Sequence, residues 1–276
     1  MSSKQFIRNS IFSGAEGKKS LLDLNVPEAF NGQLILFMHG FMGYKDWGCW
    51  NLVEKYFVDH GFGFCKYNAS HNGGTIKNRI DFSDLDAFSV NSYYKEYIDS
   101  LSVISWIKET VSRCKTISLI GHSRGAGIAL LHSNNKDICS IVSWAGMSNM
   151  AKRFPSGDDL KKWKAEDVRF NLNSRTKQQM PNKYIQFEEY SLHKELLNIE
   201  LKCKNSTKPT LLIHGNADTS VPIDEGYELA KWLNTKLHII ENGNHTFESK
   251  QPWTNKEIPF QMLQVCEITK IFLEKI

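Results

Sequence analysis

Long apolar runs are missing from this chain. The longest unbroken one, residues 34–38, falls far short of the ~20 residues a membrane-spanning helix needs, so no membrane partner is expected. The first 17 residues carry no apolar segment of the kind found in a secretory signal, and a cytoplasmic setting is the expectation. Cysteine pairs of the Cys-x-x-Cys type are also absent. The six cysteines, at 49, 65, 114, 139, 203 and 266, are scattered, which argues against a zinc knuckle or a disulfide framework and for free buried thiols. No internal repeat appears. With 41% hydrophobic and 23% charged residues over 276 positions, the chain reads as an ordinary globular protein. Length alone leaves one large domain or two small ones open.

Charge of one sign is scarce overall, at a net +4. Its distribution is uneven. Residues 147–208 hold 13 Lys+Arg against 8 Asp+Glu, or +5, and the remainder holds 21 against 22, or −1. The charges of that segment are mixed in sign and no nucleic-acid module signature accompanies them, so no nucleic-acid partner is expected.

What the chain does contain is an alternation of strands and helices. Residues 5–25 read as two extended segments joined by Gly14-Ala15-Glu16-Gly17, an antiparallel hairpin able to extend a sheet edge. Residues 33–38 are nearly all apolar, the mark of a strand buried on both faces. A helix is predicted over 44–60 from Trp50, Val53 and Phe57, and a strand over 62–67. A polar loop follows over 68–88. Tyr94, Tyr97, Ile98, Leu101, Ile104, Ile107 and Val111 mark the expected buried face of a long helix. Further strands are expected at 116–120, 138–144, 210–214 and 236–240, with helices to about 132 and over 222–233 and 257–276. This pattern implies an α/β fold with a mostly parallel sheet covered on both faces. Residues 147–208 break the alternation and read as a lid inserted over the carboxyl edge of a single domain, 1–276.

The strand at 116–120 runs into Gly121-His122-Ser123-Arg124-Gly125. A Gly-x-Ser-x-Gly turn between a strand and a helix holds its serine in a strained conformation above the strand end. There a base can take the hydroxyl proton and helix N–H groups can stabilise negative charge. The pentapeptide alone arises by chance in roughly one chain in ten of this length, so its neighbours have to decide. Two other strand ends offer partners: Gly215-Asn216-Ala217-Asp218 supplies a carboxylate, and Glu241-Asn242-Gly243-Asn244-His245 a loop histidine. The order Ser123, Asp218, His245 is the one found where a serine nucleophile is served by an Asp-oriented imidazole on an open α/β sheet. Asp224 competes with Asp218, but opens a helix, where acidic residues are common for dipole reasons. His39 and His122 flank the site and read as supporting groups, His214 as buried structure, and His71 as solvated loop or pocket wall. Asp81, Asp84 and Asp86 lack the Gly and distal Glu of a calcium loop, and no metal site is expected.

These motifs, together with His39-Gly40-Phe41-Met42-Gly43, the run His214-Gly-Asn-Ala-Asp218-x-x-Val-Pro222 and Asn244-His-Thr-Phe247, resemble the α/β-hydrolase superfamily. Within it they are similar to the branch of dienelactone-hydrolase-like, feruloyl (cinnamoyl) esterase-like and acylaminoacyl-peptidase-like enzymes. The resemblance runs from about Gln33 to the end. It implies Ser123 as nucleophile, Asp218 as triad acid, His245 as base, and the backbone N–H groups of Phe41 and Arg124 as oxyanion hole, with no cofactor. Dienelactone hydrolases proper use cysteine where Ser123 stands, and the large peptidases of the branch carry a propeller that these 276 residues do not contain. Both departures point to a small esterase acting on a small-molecule ester. A peptidase or amidase on short acyl-peptides, or a non-catalytic ligand receptor, remain the alternatives. Among the lid aromatics, Trp163, Tyr184 and Phe187 are the expected substrate-binding residues, with Phe170 and Tyr190 beside them. The lid's basic surplus raises an anionic substrate as a hypothesis, against a solvated helical surface. The oligomeric state is not legible.

Overall fold

The structure, a computed structural model, describes residues 4–276. A central eight-stranded sheet collects β1 (Gln5–Ser13), β2 (Lys19–Val26), β3 (Gln33–Met38), β4 (Gly63–Tyr67), β5 (Thr116–His122), β6 (Ile138–Trp144), β9 (Thr210–Gly215) and β10 (Leu237–Ile240), in the order β1-β2-β4-β3-β5-β6-β9-β10. From β4 to β10 every pairing is parallel, and the hairpin β1–β2 adds an antiparallel edge through β4. β3 shows why its sequence is continuously apolar. Leu34, Leu36 and Met38 enter one core and Ile35 and Phe37 the other, as the two-residue period of a strand requires.

Helices cover both faces. α1 (Trp50–Asp59) and α9 (Phe260–Leu273) bury Trp50, Val53, Phe57, Val265 and Cys266 against one face. α3 (Tyr93–Thr110), α4 (Arg124–Leu131) and α8 (Ile223–Leu233) cover the other, with α2 (Leu85–Ser89) a short helix before α3. The chain reaches β4 on one side of β3 and β5 on the other, so winding reverses between β3 and β5. Crevices for ligands form outside the carboxyl ends of strands at such a reversal. His39–Phe41 and Ser123 lie there.

Two helices depart from the sequence expectation. The helix predicted from residue 44 starts only at Trp50, because residues 44–49 are claimed by distant partners. Asn68 Oδ1 accepts from Lys45 N (2.7 Å), Gln251 Oε1 from Gly48 N (2.6 Å) and Ser249 Oγ from Cys49 N (3.1 Å). α3 is rotated relative to the expected face. Val103, Ile104 and Ile107 are buried, but so are Lys95, Glu96, Asp99 and Ser100, while Tyr94, Tyr97, Ile98 and Leu101 are only half-buried. The buried polar groups are matched: Asp99 accepts from Ala15 N (2.7 Å) and Ser70 N (2.6 Å), and Ser100 Oγ meets His132 Nε2 at 2.8 Å.

Residues 147–208 stay outside the central sheet. They form a 3₁₀ turn (Met150–Arg153), α5 (Gly157–Glu166), an antiparallel hairpin of β7 (Val168–Leu172) and β8 (Gln179–Lys183), α6 (Ile185–Leu192) and α7 (Ile199–Lys204). The hairpin has no counterpart in the sequence reading. The segment is tied to α2 and α3 by Gln186 Nε2 donating to Ser89 O (2.8 Å) and by the Lys95–Glu189 ion pair (2.6 Å). No described helix is long and apolar enough to cross a membrane.

Candidate active site

Ser123 sits between β5 and α4 with φ +57° and ψ −117°, a conformation that costs a non-glycine residue roughly 1–3 kcal/mol. The turn is held from both sides: Ser123 N donates to Trp144 O (2.8 Å), and Ser123 O accepts from Ala126 N (3.0 Å). Its glycines are required by contact. A Cβ on Gly121 would lie 2.3 Å from Gly125 O, and one on Gly125 2.3 Å from Met38 O.

Asp218 and His245 arrive on two loops that are fastened to each other. Ala217 N donates to Gly243 O (3.0 Å) and Asn216 N to Ile240 O (3.2 Å), and Gly215 packs so tightly on Gly243 that a Cβ would stand 2.1 Å from its oxygen. This places His245 Nδ1 2.7 Å from Asp218 Oδ2 and His245 Nε2 2.9 Å from Ser123 Oγ. Burial opposes ionisation of Asp218, but hydrogen bonds from His214 and His245 and from the Val221 N–H hold its carboxyl far below the usual range. Its second oxygen accepts from Ser220 N (2.8 Å) and Val221 N (2.9 Å). An ionised carboxylate only accepts, so Nδ1 of His245 carries the proton and Nε2 is left to receive the Ser123 hydroxyl.

The flanking histidines take the supporting places expected of them. His122 is buried, and burial together with the neighbouring His245 pushes its pKa down to about 3. Neutral, it donates Nε2–H to His245 O (2.8 Å) and fixes the loop. His214 donates to Val221 O at 2.9 Å and also lies 3.3 Å from Asp218 Oδ2. His39 accepts from Ala69 N at Nε2 (3.1 Å) and donates from Nδ1 to Gly40 O (2.9 Å). Gly43 N takes the same Gly40 oxygen (3.0 Å). In a trans peptide the N–H lies opposite the carbonyl, so the Phe41 N–H is left on the free edge. A Cβ on Gly40 would be 3.1 Å from Ser123 Cβ, which sets this peptide beside the serine. Among the described residues no main-chain carbonyl takes the Phe41 or the Arg124 N–H.

Two cavities meet at Phe41, Ser123 and His245. One, of about 370 Å³, runs along Tyr93, Arg124, Phe154 and Arg169. The other, of about 420 Å³, runs along Trp47, Trp50, Leu172 and Arg175. The expected substrate-binding residues line neither. Trp163, Tyr184 and Phe187 form an internal aromatic cluster of the 147–208 segment, with centroid spacings of 5.4 Å (Trp163–Tyr184) and 5.6 Å (Tyr184–Phe187). Trp163 is buried and donates Nε1–H to Asn182 O at 2.8 Å. Only Phe154, which packs on Trp163 and Phe187, passes from that cluster to the cavity wall. His71 is not solvated. It is buried beside Ser70 Oγ (2.8 Å), away from both cavities. Asp224 is exposed at the start of α8. The sequence pattern singles out none of Tyr93, Arg153, Phe154 and Arg169, and the basic surplus of residues 147–208 is the one trace of the two arginines.

No protein-family model and no curated protein sequence matches this chain. Solved structures do. The chain is similar to Est1E from Butyrivibrio proteoclasticus, solved with ferulic acid bound, at 17% identity over 96% of this chain and 98% of that one, with a TM-score of 0.70. A putative hydrolase from Agrobacterium vitis aligns at 14% identity over 98% of each chain (TM-score 0.72). XC6422 from Xanthomonas campestris, an α/β serine hydrolase without lid, aligns at 12% identity over 100% of this chain and 95% of that one (TM-score 0.60). The fold is that of the α/β-hydrolases.

Proposed function

We propose that this protein is a serine hydrolase of carboxylic esters. The observation that carries the reading is the unbroken chain Asp218–His245–Ser123, at 2.7 and 2.9 Å, beside a strained serine at the carboxyl edge of a parallel sheet. Ser123 Oγ attacks the ester carbonyl as His245 Nε2 takes its proton, and Asp218 keeps the imidazole in the required tautomer and stabilises its cation. The oxyanion is received by the N–H groups of Phe41 and Arg124, a donor of this kind contributing about 3 kcal/mol. His245 then protonates the leaving alcohol, and water repeats the sequence on the acyl-enzyme. No step calls on a cofactor.

The two cavities divide the ester between acyl and alcohol sides, and residues 147–208 act as a cap that contributes wall to both. Aromatic walls at Phe41, Tyr93 and Phe154 suit an aryl or cinnamoyl-type group, in keeping with the ferulic acid bound to Est1E. Six free cysteines fit a reducing compartment such as the cytoplasm. The test is hydrolysis of p-nitrophenyl esters from acetate to octanoate by the wild type and Ser123→Ala. Activity is expected in the wild type and a fall of about 10³-fold or more in the variant. Retention within tenfold would remove Ser123 from the reaction.

A further inference from the structure

Three guanidinium groups, from Arg124, Arg153 and Arg169, wall the cavity of about 370 Å³ beside Ser123, and no carboxylate stands among its lining residues. The three differ in how their charge is met. Arg124 Nε lies 2.9 Å from Glu96 Oε1, off hydrogen-bond alignment, with the guanidinium carbon 4.1 Å from the Tyr93 ring centre. Arg153 Nη2 is 2.6 Å from Glu225 Oε1, a carboxylate itself fixed by Ser148 N (2.8 Å). Both are neutralised from behind the cavity wall.

Arg169 is not. It stands in β7 and pairs with no carboxylate among the described residues. Its Nη2 donates to Arg153 O at 3.2 Å, and its Nε is buried without an acceptor. The guanidinium carbon lies 4.5 Å from the Trp163 ring centre, which fixes the plane of the group without cancelling its charge. Burial draws the Arg169 pKa below its ordinary value, opposed by Tyr93. With Glu96 and Glu225 set against Arg124 and Arg153, the cavity keeps one uncompensated positive charge, in half-buried surroundings where a cation is costly unless paired. Arg153 and Arg169 both come from residues 147–208, so part of the basic surplus of that segment lines the cavity beside Ser123.

We propose that this cavity is a carboxylate subsite with Arg169 as its neutralising cation. The substrate is then an ester that carries a free carboxylate on the part lodged here, as a half-ester of a dicarboxylic acid does. The planar guanidinium fork matches a carboxylate in two parallel hydrogen bonds. This assignment rests on the ester-hydrolase reading above, and its test separates the two.

The experiment compares kcat/KM for mono-4-nitrophenyl adipate with that for 4-nitrophenyl hexanoate, alike in length and differing in the terminal carboxylate. The wild type is expected to favour the adipate by tenfold or more, and Arg169→Gln to cut that ratio by about tenfold. Arg169→Lys, which keeps the charge but not the planar fork or its stacking on Trp163, is expected to fall between wild type and Arg169→Gln, the part it retains measuring charge and the part it loses measuring the fork. In parallel, calorimetry measures adipate binding to Ser123→Ala protein with and without Arg169→Gln, a readout that needs no turnover. If neither ester is cleaved while adipate binds in an Arg169-dependent way, the subsite stands and the hydrolase reading falls. Equal rates on both esters in the wild type, or adipate binding indifferent to Arg169, would overturn the subsite.

Discussion

Ser123 keeps its φ of +57° because glycine contacts on either side leave the turn no other path. At Gly121 a Cβ would stand 2.3 Å from Gly125 O and 2.4 Å from Ala126 N. Both are backbone atoms that cannot rotate away. Gly121→Ala is therefore expected to cost about 3 kcal/mol, a fall in melting midpoint of roughly 6–12 °C for a chain of this size. A midpoint within a degree or two of wild type, read by circular dichroism, would contradict the contact. The same locality made Ser123, Asp218 and His245 legible in the sequence. Each follows a recognisable strand within a few residues, so its end of the sheet could be assigned without knowing the packing. Arg169 and Phe154 had no such anchor. Their place depends on how a hairpin and a 3₁₀ turn fold back toward the cavity beside Ser123, and nothing in their local pattern encodes that. Trp163, Tyr184 and Phe187 misled because aromatic content shows that a segment has an apolar side, and does not show whether that side faces a cavity or its own core.

Among the elements, buried parallel strands were the most legible. β3 matches its apolar run because both faces are covered, leaving a signal no polar residue interrupts from Leu34 to Met38. α3 departs from its expected face because the buried face is half polar, with Glu96, Asp99 and Ser100 answered by Arg124, Ala15, Ser70 and His132 from distant parts of the chain. The N-terminal hairpin holds a second such case. Arg8, Lys45 and Lys66 face Asp23, Asp46 and Glu54 in one cluster, three cations to three anions. Lys66 lies on β4 with its side chain wholly buried, 2.9 Å from Asp46 and 3.2 Å from Glu54 and in contact with Asn51. Arg8 grips Glu54 through both terminal nitrogens, at 2.7 and 2.6 Å. Burial opposes the Glu54 charge, yet Arg8 and Lys66 hold its carboxyl below the ordinary range. Buried ion pairs add little net stability over apolar packing but penalise misplacement. The cluster thus fixes which strand β2 joins, binding β1, β2, β4 and α1 into one edge.

Taken together, the two cores and their buried histidines set how the protein responds to acid. Burial, aided at His132 by the Lys202 charge, pushes His122 and His132 down to about 3, and it lowers His39 as well. A histidine held neutral in the fold but free to protonate when unfolded stabilises fully above its ordinary pKa of ~6.5, and that stability drains away as pH falls toward the folded value. At pH 5 each of the first two withdraws about 2 kcal/mol. Asp99 acts in the opposite sense. Burial pushes its carboxyl up to about 6, so its contribution grows as pH falls below that value and offsets about 1 kcal/mol at pH 5. Denaturant unfolding is therefore expected to show a net loss of stability between pH 7 and pH 5. His132→Gln, remote from Ser123, should reduce that loss by about 2 kcal/mol. An unchanged slope in the variant would place a charged His132 in the fold.

The decisive measurement is covalent labelling with a fluorophosphonate, followed by mass-spectrometric mapping of the modified peptide. One adduct per chain on Ser123 is expected, formed rapidly at neutral pH, slowed strongly by His245→Gln and absent from Ser123→Ala. Ester turnover that continues with Ser123 unmodified, or an adduct that forms equally fast without His245, would contradict the nucleophile and the base assigned to this site.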